Sequence, residues 1–154
     1  MPNTYTANYI HLIFVVRHRR SLIHPSWEKE LYKYISGIIT NRGNKLFAIG
    51  GMPDHIHIFF DLNPVCSLSD IARDLKSSSS KWINKRHFNH SKFQWQNGFA
   101  SFSYAKSQLP VVARYIERQK EHHLGKSFNV EYKQFLEKFE LDYNEKYILK
   151  SPVI

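Results

Sequence analysis

His55-Ile56-His57-Ile58-Phe59-Phe60-Asp61-Leu62 is dense in β-branched and aromatic side chains and follows the turn-forming Gly51-Met52-Pro53-Asp54. The run is too short for a typical helix, and its composition predicts a strand. Side chains alternate across a strand, so Ile56, Ile58, Phe60 and Leu62 share one face, while His55, His57, Phe59 and Asp61 share the other. The first set is wholly apolar and belongs against a core. The second places two imidazoles side by side. Lys45 to Gly50, on the far side of the turn, reads as the partner strand of an antiparallel hairpin.

The flanking segments extend this pattern. Tyr9 to Val16 is an apolar run interrupted by His11 and predicts a buried strand, ending in the basic cluster Arg17-His18-Arg19-Arg20. With Ser26 as N-cap, Trp27, Leu31, Tyr34, Ile35, Ile38 and Ile39 recur at helical spacing up to Asn41-Arg42-Gly43. Ser67 and Asp70 resemble a capping box, and a second helix runs from there, through Ser77 to Ser80, to near Phe88. Phe99 to Tyr104 alternates aromatic with small residues as a fourth strand. Leu109 to Leu124 is a third helix, opened by Ser107 and Pro110 and followed by Gly125. A last amphipathic piece covers Val130 to Phe139. This order predicts one domain over residues 1–154, an α+β fold with a ferredoxin-like antiparallel sheet and helices packed mainly on one face.

The chain has 154 residues, 42% hydrophobic and 23% charged, which excludes disordered and repeat classes. A formal charge of +9 attracts polyanions, with nucleic acid the leading class. Cys66 is the only cysteine, which removes any intramolecular disulfide framework and fits a reducing, cytoplasmic setting. No stretch has the composition of a membrane span or a secretory leader.

Two imidazoles two residues apart on one strand face are either satisfied polar residues or ligands of one metal ion. On the helix from Leu109, Tyr115, Gln119 and His122 form a stripe beside the apolar face of Val112, Ala113 and Ile116. A divalent ion held by His55, His57 and an amide or carboxylate oxygen could polarise a phosphodiester. A phenol has a pKa near 10 and needs positive charge nearby to act as a nucleophile. Tyr115 could then attack phosphorus and store the bond energy in a phosphotyrosine link.

Pro53-Asp54-His55-Ile56-His57-Ile58-Phe59-Phe60, followed by Arg114-Tyr115-Ile116-Glu117-Arg118-Gln119-Lys120-Glu121-His122-His123, resembles the single-tyrosine HUH transposases of the smallest bacterial insertion sequences. Trp95-Gln96-Asn97-Gly98-Phe99 adds to the resemblance, which extends from Tyr9-Ile10-His11-Leu12-Ile13-Phe14 to Glu145-Lys146-Tyr147. It implies that His55 and His57 are the HUH pair, Tyr115 the nucleophile and Gln119 the third metal ligand. It also implies a homodimer that uses Mg2+ or Mn2+ on single-stranded DNA carrying imperfect hairpins. Cleavage would leave a 5′-phosphotyrosine and a free 3′-hydroxyl, with Tyr115 serving its own or the partner's site. Related proteins that process repetitive extragenic palindromes share these motifs.

Several assignments stay open at this point. His122 or His123 could replace Gln119 as ligand, although imidazole would shift the metal preference away from magnesium. Asp54 and Asp61 could orient an imidazole from behind, or be a turn residue and a solvated strand end. Arg17, Arg19, Arg20, Lys76, Lys81, Lys85 and Arg86 are the candidate phosphate contacts. The competing readings are a noncatalytic nucleic-acid-binding module and a metal-dependent nuclease that uses water.

Overall fold

A computed structural model describes residues 4–122 and 127–142. Four strands form one sheet: β1 (Tyr9–Val15), β2 (Lys45–Met52), β3 (His55–Asp61) and β4 (Ala100–Ser103). Their order is β2-β3-β1-β4, with every neighbouring pair antiparallel. This is the expected α+β, ferredoxin-like sheet. The helices are α1 (Glu28–Asn41), α2 (Leu68–Lys85), α3 (Leu109–Glu117), α4 (Gln119–His122) and α5 (Phe128–Lys138).

The two longest helices share one sheet face, as expected. Leu12, Phe14, Ile56, Ile58 and Phe60 point into a core closed by Leu31, Ile35 and Ile39 of α1 and by Ile71, Leu75 and Ile83 of α2. The opposite face is covered as well. There Ala48 and Phe59 pack against Val112 and Ile116 of α3, while Ile13 and Phe102 pack against Phe128 and Leu136 of α5. His55 and His57, on the second face of β3, therefore lie beneath helices, and both are buried.

Local expectations hold with specific corrections. Ser67 caps α2, accepting from the Asp70 N–H at 3.3 Å. Ser26 does not cap α1: its hydroxyl pairs with His24 Nδ1 at 2.8 Å, and the helix begins at Glu28. The Ser77–Ser80 patch has a packing reason, because buried Ser79 accepts from the indole N–H of Trp95 at 2.9 Å. The single helix expected from Leu109 is two, because Arg118 leaves helical geometry at φ −104°, ψ 29° and ends α3. The expected continuation through Leu124 lies partly outside the described residues.

The position of α3 depends on a glycine. A Cβ at Gly50 of β2 would stand 2.2 Å from the Ile116 carbonyl oxygen, so the α3 backbone rests directly on the hairpin. Gly50→Ala should therefore push α3 away, costing about 1–3 kcal/mol as overpacking does. Urea denaturation would check this, and retention of wild-type stability would contradict the contact.

Candidate active site

On β3, alternation carries His55 and His57 to the same covered face, where each ring is held from behind. His55 Nδ1 lies 2.8 Å from Asp54 Oδ1, and the second Asp54 oxygen accepts from Arg19 Nη2 at 3.1 Å. Burial opposes ionisation of Asp54, but the hydrogen bond and charge of His55, with those of Arg19, outweigh it and hold the carboxyl below its ordinary range. An ionised Asp54 anchors the ring through Nδ1 and turns Nε2 inward. His57 Nδ1 meets His11 Nε2 at 2.7 Å, both fully buried. Burial, and then the neighbouring His57, keep His11 neutral, its pKa well below the ordinary imidazole value despite the opposing charge of Glu131.

The inward nitrogens face Glu131 of α5. Its Oε1 lies 3.2 Å from His57 Nε2 and 3.6 Å from His55 Nε2. Gln119 of α4 brings Oε1 to 3.1 Å from His55 Nε2, and its amide N–H donates to Glu131 Oε2 at 3.2 Å. Tyr115 of α3 donates its hydroxyl to the same Oε2. Glu131, Gln119 and both histidines are buried.

The residues present fit a divalent cation. One ligand atom from each of His55, His57 and Glu131 lies within 4.8 Å of the others. Donors about 2.1 Å from one cation, at octahedral or tetrahedral angles, stand about 3.0–3.4 Å apart, close to the separations above. Two imidazoles with carboxylate and amide oxygens form a donor set suited to such an ion. Burial, then the charge and hydrogen bond of Glu131, raise the Tyr115 phenol well above its ordinary pKa, so the group rests protonated.

A family profile described as "Transposase IS200 like" matches residues 4–119. The chain belongs to this family. A solved structure described as a candidate transposase from Deinococcus radiodurans R1 aligns with a TM-score of 0.59 at 21% identity, covering 76% of this chain and 95% of that one. A REP-associated tyrosine transposase bound to a REP hairpin aligns with a TM-score of 0.56 at 18% identity, covering 74% and 67%. No curated protein matches. The family match stops at Gln119, so α5 and Glu131 lie beyond it.

The other sequence candidates fall at different places. Asp61, at the end of β3, accepts from the Asn8 N–H at 3.0 Å and pairs across the sheet with Tyr9 and Lys45, away from the imidazoles. The His122 side chain and His123 lie outside the described residues. Arg19 is not a surface cation: besides Asp54 it bonds Asn129 and stands 5.2 Å over the Phe128 ring. Arg17 donates to Gln94 at 2.7 Å, and Arg20 to Ser91 at 2.9 Å. Lys76 is anchored on the Gln96 and Gly98 carbonyls. Arg86 stacks on Trp82 and Phe88 and pairs with Glu30. Lys81 and Lys85 are exposed and line a cleft with Lys92.

Sequence reasoning passed over His11 and Glu131. His11 was visible as the one polar residue inside an apolar strand. Glu131 sits three residues after Phe128 and four before Phe135, an acid on the apolar side of a short helix, and only that mismatch marks it.

Two measurements follow. Glu131→Gln should weaken Mn2+ binding in calorimetry by at least roughly tenfold, the scale on which metal sites lose affinity when a supporting group is changed. His11 binds its proton more weakly folded than unfolded, so stability is complete above about pH 6.5 and declines as pH falls below it, by up to about 1.4 kcal/mol per pH unit for one proton. Chemical denaturation in EDTA should show that slope, and His11→Asn should flatten it.

Proposed function

We propose that this family member is a metal-dependent transposase that cleaves and rejoins single-stranded DNA through Tyr115. The observation that carries the reading is that the Tyr115 hydroxyl and the inward nitrogens of His55 and His57 meet the same buried carboxylate. The contact sets the phenol oxygen beside the candidate metal ligands, where a nucleophile acting on a metal-held phosphate would stand.

His55, His57 and Glu131, with Gln119, would hold Mg2+ or Mn2+. When bound, the ion supplies positive charge for the scissile phosphate and for a developing phenolate. Asp54 and His11 keep the two rings oriented throughout. Glu131 Oε2 already accepts the phenol proton in a hydrogen bond and is placed to take it as Tyr115 Oη attacks phosphorus. The P–O3′ bond breaks, the 3′-oxygen takes that proton from Glu131 and leaves as a hydroxyl, and the 5′-phosphate stays on Tyr115. The reverse attack by a 3′-hydroxyl rejoins DNA and returns the proton to the phenol.

Tyr115 and the histidines converge within one chain, which supports action in cis. The homodimer implied by the resemblance would then serve to bring two DNA ends together. The proposed DNA is a single strand carrying a hairpin, a reading supported by the hairpin bound to the REP-associated relative. Two adjoining clefts between α2 and residues 92–99 support a phosphate path: Arg17, Arg73 and Lys76 line one, and Lys81, Lys85 and Lys92 the other. Among the described residues, no helix is long and apolar enough to cross a membrane.

The test is incubation with single strands of the gene's own flanking DNA in Mn2+, followed by denaturing electrophoresis. A protein–DNA adduct should form and disappear in Tyr115→Phe. Cleavage that persists in Tyr115→Phe without an adduct would instead identify a water-using nuclease.

A further inference from the structure

Between α3 and α5 lies a cavity of about 250 Å3, walled by Tyr104, Val111, Val112, Tyr115 and Phe135. Its space is smaller than the roughly 300–1,000 Å3 of pockets that enclose drug-sized ligands, so it suits a single ring system. The Tyr115 ring is a shared partition, lining the cavity while its hydroxyl turns to Glu131. Anything seated here is therefore beside the atom that attacks phosphorus.

The walls are braced for stacking. Phe135 meets the Tyr115 ring edge-on at 5.9 Å and stacks on Phe102 at 5.2 Å, while Tyr104 is backed by Phe139 at 5.6 Å. The Gln134 amide also lines the cavity. Lys138, another lining residue, places its ammonium 5.6 Å over the Tyr104 ring, where it can meet a backbone phosphate. Aromatic and aliphatic walls, with an amide, a cation and the Glu131 carboxylate at the Tyr115 side, are features that can hold a base of a single strand.

We infer that this cavity is a slot for one unpaired nucleobase flanking the phosphate attacked by Tyr115, with Tyr104 and Phe135 as stacking walls and Gln134 reading the base edge. The inference rests on Tyr115 as the nucleophile, and it adds a local sequence preference next to the cleavage point that does not depend on the hairpin.

Binding can be measured without chemistry, using Tyr115→Phe protein and flanking single strands in which each position in turn is made abasic. One position should lower affinity by roughly tenfold, the loss expected for one base stack. Val111 is 67% exposed, so Val111→Trp can fill the mouth while leaving the core intact. It should cost the intact strand a similar factor, with no further loss when the critical base is missing. 5-Iodouracil at that position should cross-link to Tyr104 or Phe135. Equal affinity across the abasic series, additive losses, or cross-links only elsewhere would overturn the slot. An absent adduct with these binding effects preserved would overturn the nucleophile and leave the slot, whereas absence of DNA binding would overturn both.

Discussion

A carboxylate sealed from water must be compensated by its neighbours, and Glu131 determines much of what surrounds it. Withdrawing such a charge from solvent costs several kcal/mol unless hydrogen bonds or opposite charge replace the lost hydration. Hydrogen bonds come from a hydroxyl on α3 and an amide on α4, and two ring nitrogens of β3 stand within 3.6 Å of the other oxygen. β3, the α3–α4 segment and α5, distant in sequence, thereby meet at one point. Removal of any member leaves the remaining groups short of a partner in a low-dielectric space, so the set behaves as a unit.

Outside this set, a chain of contacts governs ring orientation. Arg19 holds Asp54, and Asp54 holds His55; on the other side His11 holds His57. The basic cluster after β1 is thus divided in its work. Arg19 turns inward to support the site, while Arg17 turns toward the segment facing α2. Charge counting alone treats these arginines alike, and the separation is visible only once the 3-10 turn over Arg17–Arg19 is in place.

The fold was legible wherever the pattern was local. The alternation in β3, the helical spacing of Leu31, Ile35 and Ile39, and the Ser67–Asp70 cap each depend on a few adjacent residues, and each appears in the structure. The pairing of Tyr115 and Gln119 with the histidines came from motif order, and the structure brings those side chains together. What escaped was tertiary in origin. Nothing near Val130 indicates which surface α5 will cover, so Glu131 could not be placed. Ser26 was misread because a neighbouring imidazole competes for its hydroxyl, and the helix break at Arg118 has no proline or glycine to announce it. Asp61 shares a face with the histidines but is too far along the strand to reach them.

The residues that converge on the site appear in the chain as His11, His55, His57, Tyr115, Gln119 and finally Glu131. Synthesis proceeds from the N-terminus, and early segments leave the ribosome first. The imidazoles of β1 and β3 therefore emerge well before the helix that gathers them, while the phenol precedes that helix only narrowly. The buried cluster around Glu131 can therefore close only after α5 has been made.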